Sequence, residues 1–312
     1  MTQPEAGSFT LFRVAGITVF VHWSWFLMAY VQFKLQGEEY SGPAWVVIEY
    51  ITLFGIVLLH EFGHALACRQ VGGSAEQIVL WPLGGIAYVD PPPRPGAWLW
   101  SIAAGPLVNL VLVPVTGLLV VLGSAAGWKE TFPDLQYYLV SIAVINLMLL
   151  IFNMLPIYPL DGGQILQSLL WFAVGRPLSL KIASIVGVVG GVGLILLALA
   201  GGSIWMGIMA AFLTYRAAIG FSHAKMLQQI AEMPRRPGLS CPACREGALQ
   251  GDFWRCPQCG QPFDMIATQG QCPQCSAQFD SILCPQCGRS HPADAWQQAA
   301  TDPYAGRSGT GA

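Results

Sequence analysis

Charge is what this chain has least of. Only 10% of its 312 residues are Asp, Glu, Lys or Arg, against 54% hydrophobic, and mean hydropathy is +0.52. A soluble globular domain carries roughly 25% charged residues, so a chain that faces water along its whole length is excluded. Organised positive charge is scarcer still. The net charge is −2, and in the C-terminal cysteine region Arg245 and Arg255 are outnumbered by Glu246, Asp252, Asp264 and Asp280. Without a basic stripe there is no electrostatic grip on phosphate, so no nucleic-acid partner is expected. No loop is rich in histidine, which counts against a metal transporter that relays ions along histidines.

What is present is apolar length. A helix needs roughly 20 apolar residues to cross the hydrocarbon of a bilayer. Six stretches qualify as expected spans: about 17–33, 44–69, 97–122, 135–155, 180–200 and 203–220, the last one short. The first carries His22, Trp23 and Trp25, lacks a small-residue cleavage site and reads as a retained span rather than a signal peptide. Trp23, Trp25, Trp98 and Trp100 read as anchors at the membrane interface. Gly187 and Gly191, four apart, permit close helix packing. With the N-terminus inside, Arg13, Arg69, Arg94, Arg176, Lys181, Arg216, Lys225, Arg235 and Arg236 all fall on the cytoplasmic side. Only Lys34 and Lys129 fall outside, so both termini are expected in the cytoplasm of a multi-pass protein of the cell membrane. The expected fold is α-helical and polytopic, with a small membrane-associated β-hairpin over Glu76 to Val89.

Histidine and glutamate are costly inside such helices and usually face a working cavity. The second span carries His60-Glu61-Phe62-Gly63-His64. Residues 60 and 64 share a helix face, so both imidazoles reach one ion. Glu61 stands about 100° round the helix, placed to act on a metal-bound water without ligating. This is the arrangement of two nitrogen ligands and a general base found in zinc proteases. A third ligand is expected from Asn153-Met154-Leu155-Pro156-Ile157-Tyr158-Pro159-Leu160-Asp161-Gly162-Gly163. Pro156 and Pro159 break the helix, Gly162 and Gly163 allow a sharp turn, and Asp161 can swing toward the second span.

These two motifs, in this order and at matching depth, resemble the site-2 protease family of intramembrane zinc metalloproteases, over roughly residues 15 to 220. Gly105-Pro106-Leu107-Val108-Asn109 resembles that family's Gly-Pro-x-x-Asn element. Val21-His22-Trp23-Ser24 resembles the first-span signature of its compact prokaryotic branch. The resemblance implies an endopeptidase that hydrolyses peptide bonds within or near a substrate's membrane helix. His60, His64 and Asp161 would hold the catalytic zinc, with Glu61 as general base and Asn153 as a donor to the oxyanion. A strand edge in the hairpin would clamp an extended substrate, or else plug the cavity mouth. Loops 70–96 and 123–134 are too short for the PDZ domain that many members insert, and no CBS-like pattern follows the last span. A catalytically idle scaffold is the alternative reading. Loss of Glu61 or Asp161 would have favoured it, and both are present.

Of nine cysteines, Cys68 stands alone and reads as a buried small residue. The other eight form four Cys-Pro-x-Cys pairs: Cys241/Cys244, Cys256/Cys259, Cys272/Cys275 and Cys284/Cys287. That spacing suits zinc better than disulfides, and thiolate sites imply a reducing compartment. Consecutive pairs are assigned to each ion, Cys241 to Cys259 holding one structural zinc and Cys272 to Cys287 another, with a crossed arrangement left open. The pattern resembles a double zinc ribbon, expected to recognise a cytosolic protein. The expected organisation is a membrane domain over 1–220, a linker over 221–240, the ribbons over 241–290 and a disordered tail over 291–312.

Overall fold

A computed structural model describes residues 7–36, 39–81 and 84–296. The chain divides into two compact units, Met1–Phe221 and Ser222–Ala312.

The first unit opens with strands β1 (Ser8–Val14) and β2 (Ile17–His22), then helices α1 (Ser24–Gln36) and α2 (Pro43–Gln70). Strands β3 (Ser74–Trp81) and β4 (Gly84–Asp90) follow, then α3 (Pro95–Ala125), a single turn α4 (Trp128–Thr131), α5 (Pro133–Asn153), α6 (Asp161–Val174) and α7 (Arg176–Ala200). Helix α8 (Ile204–Glu232) runs past the division between the units. Proline starts α2, α3 and α5, where its missing N–H costs nothing.

Among the described residues five helices are long and apolar enough to cross a membrane: α2, α3, α5, α7 and α8. The first expected span is not one of them. Residues 17–22 form a strand and α1 has 13 residues, roughly 20 Å at 1.5 Å per residue. The β-branched run Ile17-Thr18-Val19 prefers extended backbone, a local signal that hydropathy alone hides. Trp25, expected at the interface, is instead buried and edge-on to Tyr50 and Phe54 of α2.

The expected hairpin is present as β3 and β4, and it belongs to a four-stranded sheet in the order β1-β2-β3-β4. Its tip, Pro82 and Leu83, lies outside the described residues. β2 and β3 are parallel, pairing Val19 with Ile78, and these two strands supply the core: Ile17, Val19, Ile78 and Leu80 are fully buried with Ala65 and Cys68 of α2. Arg69, at the end of α2, fastens the sheet to that helix. Its Nε donates to the Ala75 carbonyl (2.9 Å) and its guanidinium also reaches the Ala15 carbonyl. At the other end of α2, Glu49 is fully buried and accepts from Tyr40 Oη and Gln32 Nε2. Gly187 and Gly191 of α7 do serve close packing, since an added Cβ would meet Ala217 and Thr214 of α8.

The second unit contains strands β5 (Arg235–Ser240), β6 (Gly247–Leu249), β7 (Trp254–Arg255), β8 (Pro262–Phe263), β9 (Ser281–Leu283) and β10 (Ser290–Pro292). They pair as β5–β6, β7–β8 and β9–β10. The expected linker is therefore ordered: α8 continues to Glu232, and β5 pairs with β6. Ordered structure also runs further than expected at the other end, because β10 closes on β9 and Trp296 is buried among the cysteines. Residues 297–312 lie outside the described residues. Asp264 is the polar centre of this unit. Its carboxylate accepts from the N–H groups of Ile266, Ala267 and Gly251 and pairs with Arg236.

Candidate metal centre

His60 and His64 lie one turn apart on α2, and both are buried. Asp161 is brought to them from far along the chain by the break after α5. Pro156 and Pro159 end regular helix, and the turn over 154–160 folds back on the first turn of α6. Gly162 packs against the Met154 and Leu155 carbonyls, and Gly163 against the backbone of Ile157 and Tyr158. Neither glycine takes a positive φ. Their role is close approach, not the sharp turn expected from sequence. A carboxylate in the first turn of α6 also complements the helix dipole.

The three side chains converge. Asp161 Oδ2 is 3.0 Å from His60 Nε2 and 3.5 Å from His64 Nε2, and the two Nε2 atoms are 3.1 Å apart. Ligand atoms roughly 2.0–2.1 Å from a tetrahedral zinc stand about 3.3 Å from one another, so the spacing fits. The other ring nitrogens are occupied: His64 Nδ1 donates to the Ser101 carbonyl (2.9 Å), and His60 Nδ1 donates to Asn109 Oδ1 (2.5 Å). With its proton on Nδ1, each neutral ring turns a lone pair on Nε2 toward the carboxylate. Asp161 Oδ2 is buried and has no hydrogen-bond donor. With each ring proton on Nδ1, the two imidazole nitrogens and the carboxylate oxygen are all acceptors, an arrangement that a cation would satisfy, and this donor set fits zinc.

Helix α3 makes room for this cluster. An added Cβ at Gly105 would run into the His64 ring, and one at Gly63 would meet the Ala104 carbonyl at 2.7 Å. Glu61 is buried beside these three side chains, and its Oε2 accepts from the Ala87 N–H of β4 at 2.9 Å. Gly85 permits that approach, since a Cβ there would overlap the Glu61 carboxylate. β4 is the outermost strand of the sheet, so the carboxylate sits against its free edge.

Asn153, the expected oxyanion donor, is the half-buried last residue of α5, with no hydrogen bond to Glu61 or to the three converging side chains. The asparagines hydrogen-bonded to the centre are Asn109 and, through it, Asn146, both fully buried. Asn109 stood in a recognised element with no role attached. Asn146 was missed, although an amide in an apolar span is itself a signal.

In the second unit the cysteines gather into two sets of four, grouped otherwise than assigned from sequence. Cys241, Cys244, Cys284 and Cys287 form one set, and Cys256, Cys259, Cys272 and Cys275 the other. The first and last pairs meet around the middle two, a nested order and not a consecutive one. The turn from Asp264 to Gly270, tied by the Gly270 N–H to Met265 carbonyl bond (2.7 Å), folds the third pair back on the second. In the outer set the Cys241–Cys287 and Cys244–Cys284 sulfurs lie 3.8 Å apart, and in the inner set the Cys256–Cys275 and Cys259–Cys272 sulfurs lie 3.5 and 3.6 Å apart. Zinc–sulfur bonds of about 2.3 Å put tetrahedral ligands roughly 3.8 Å apart. Each knuckle is built alike: the first cysteine's N–H donates five residues on, to the carbonyls of Glu246, Gln261, Ala277 and Arg289.

A helical membrane bundle with a buried His-His-Asp centre and an acid at its side defines a class, the membrane-embedded metallopeptidases. Within it, the model of Peptidase family M50 matches residues 48–133 and 125–199, and the chain belongs to this family, the site-2 proteases. It is 35% identical over 184 residues to Zinc metalloprotease MJ0392 of Methanocaldococcus jannaschii, covering 58% of this chain and 50% of that one. It is 33% identical over 118 residues to Stage IV sporulation protein FB of Bacillus subtilis, covering 37% and 38%. The solved Site-2 Protease from Methanocaldococcus jannaschii superposes with a TM-score of 0.51 at 28% identity, over 69% of this chain and 95% of that one. The chain spans about half the length of the curated relatives it matches.

Proposed function

We propose that this protein is a zinc endopeptidase that hydrolyses peptide bonds within or near the membrane helices of substrate proteins. The observation that carries the reading is the placement of Glu61, one residue from a metal ligand and against the free edge of a strand. Zinc held by His60, His64 and Asp161 would lower the pKa of water toward about 7 and polarise the scissile carbonyl. Glu61 takes the proton of the attacking water and passes it to the leaving amine. A helical substrate hides its carbonyls, so it unwinds first, and β4 offers the unwound stretch an edge on which to add as a further strand. The buried setting of the centre strengthens each electrostatic interaction there. Asn153 is assigned to the oxyanion, and Asn153→Ala then lowers kcat about 100-fold or more with zinc content and KM held. A normal kcat would remove it from the site.

The positions of Arg and Lys support a cytoplasmic tail, and the two cysteine sets support two structural zinc ions there. The tail is proposed to recognise a cytosolic protein, a substrate or a regulator. The test is cleavage of a single membrane-helix substrate by the purified protein in nanodiscs. Stripping with a chelator should abolish cleavage and added zinc should restore it. Cleavage that persists in the stripped protein would contradict the reading.

A further inference from the structure

Asn109 and Asn146 come from different helices, α3 and α5, and neither is exposed at all. Amides at such depth are costly unless each polar atom finds a partner. Here the partners are reciprocal. Asn146 Nδ2 donates to the main-chain carbonyl of Asn109 (3.1 Å), Asn109 Nδ2 donates to Asn146 Oδ1 (2.8 Å), and Asn109 Oδ1 accepts from His60 Nδ1 (2.5 Å).

One fixed point sets the whole chain of bonds. A main-chain carbonyl only accepts, so the Asn146 atom facing it is the NH2 group. Its oxygen then faces Asn109, which must answer with its own NH2. Asn109 is left presenting oxygen to His60, and that acceptor draws the ring proton to Nδ1. The lone pair stays on Nε2, facing His64 and Asp161. Without Asn146, no other hydrogen bond among the described residues fixes which way the Asn109 amide faces His60. Turned over, it would present NH2 to His60 Nδ1, move the proton to Nε2 and close that nitrogen to a metal.

We propose that Asn146 is a positioning residue of the metal centre: acting through Asn109, it holds His60 in the tautomer that binds zinc. His64 needs no such relay, because the Ser101 main-chain carbonyl meets its Nδ1 directly. The proposal rests on the zinc-protease reading above.

The experiment measures zinc release to a chelator from the purified full chain in nanodiscs. The Asp161→Ala variant defines the release from the cysteine sites, and cleavage is followed in parallel. Asn146→Leu should lose the membrane zinc about 10-fold faster than wild type, and should add nothing on an Asn109→Ala background. Asn146→Asp supplies the readout that a packing role would not move. Its neutral carboxyl donates to the Asn109 carbonyl as the amide does, so at low pH it should retain zinc as well as wild type. As pH rises its carboxylate faces that carbonyl, and retention should fall behind wild type. If Asn146→Leu does not fold, the Asp variant decides alone.

Wild-type release from Asn146→Leu overturns the relay, as does an effect that persists in full on the Asn109→Ala background. A ratio of Asp variant to wild type that does not change with pH also overturns it. A wild-type chain that binds no zinc at His60, His64 and Asp161 overturns the zinc reading and the relay together. Wild-type zinc binding and cleavage with an unaffected Asn146→Leu overturns the relay alone.

Discussion

At Gly105 the tolerance for added volume is nil, because the space a Cβ would fill is the imidazole of His64. Gly105→Ala should therefore empty the membrane site and abolish cleavage while both cysteine sites keep their zinc. Metal analysis would show one of the three proposed ions lost, and retention of all three would contradict this account of α3. His60, Glu61, His64 and Asp161 were legible in the sequence because charge and imidazole are rare in apolar spans and their spacing matches a helix turn. Gly105 and Gly85 were not, since an absent Cβ leaves no trace of what it makes room for. Asp264 was hidden for another reason. Acids are ordinary in a soluble module, and nothing in its neighbours announces three main-chain donors and Arg236. Asp264→Ala leaves those groups unpaired and should destabilise the second unit by about 1–3 kcal/mol, read as faster hydrogen exchange over residues 241–290 of the full chain. Unchanged exchange would remove it from its central place.

Among elements, the knuckles repeat a backbone requirement that their sequences meet unequally. The fourth residue after each first cysteine has a positive φ: Arg245, Gly260, Ser276 and Gly288. Two are glycine and two carry the cost of a side chain in the left-handed region, roughly 1–2 kcal/mol, which glycine avoids at some cost in chain entropy. Ser276→Gly should stabilise the inner knuckle by up to about 1 kcal/mol and slow zinc transfer from it to a chelator. Faster transfer would contradict the strain argument. The same scale explains what sequence reading mistook. Hydropathy over 17–33 saw one apolar stretch, whereas local preference splits it into β2 and a short α1. The parallel pairing of β2 with β3 is a long-range choice that no local pattern encodes. Spacing within each cysteine pair was legible; which pairs share an ion was not, because the fold-back at Asp264 to Gly270 decides it.

At the scale of the whole chain, one unit carries the His60, His64 and Asp161 cluster and the other carries two sets of four cysteines that could each hold a metal ion. The nested order of its cysteines has a consequence in stoichiometry. Replacing Cys241 and Cys284 together by serine should cost one zinc, since both serve the outer set. Under consecutive pairing the same double variant would damage both sites. Metal content of two ions per chain supports nesting, and one ion per chain contradicts it. The Glu61 carboxylate is buried beside His60, His64 and Asp161 but is not one of the three residues that could hold a metal ion, so under the proposed mechanism Glu61→Gln should preserve the ligand set and remove the base. The measurement is zinc content together with cleavage of a membrane-helix substrate by purified Glu61→Gln protein. Full zinc with cleavage lost is the predicted result, and cleavage at the wild-type rate would contradict the mechanism.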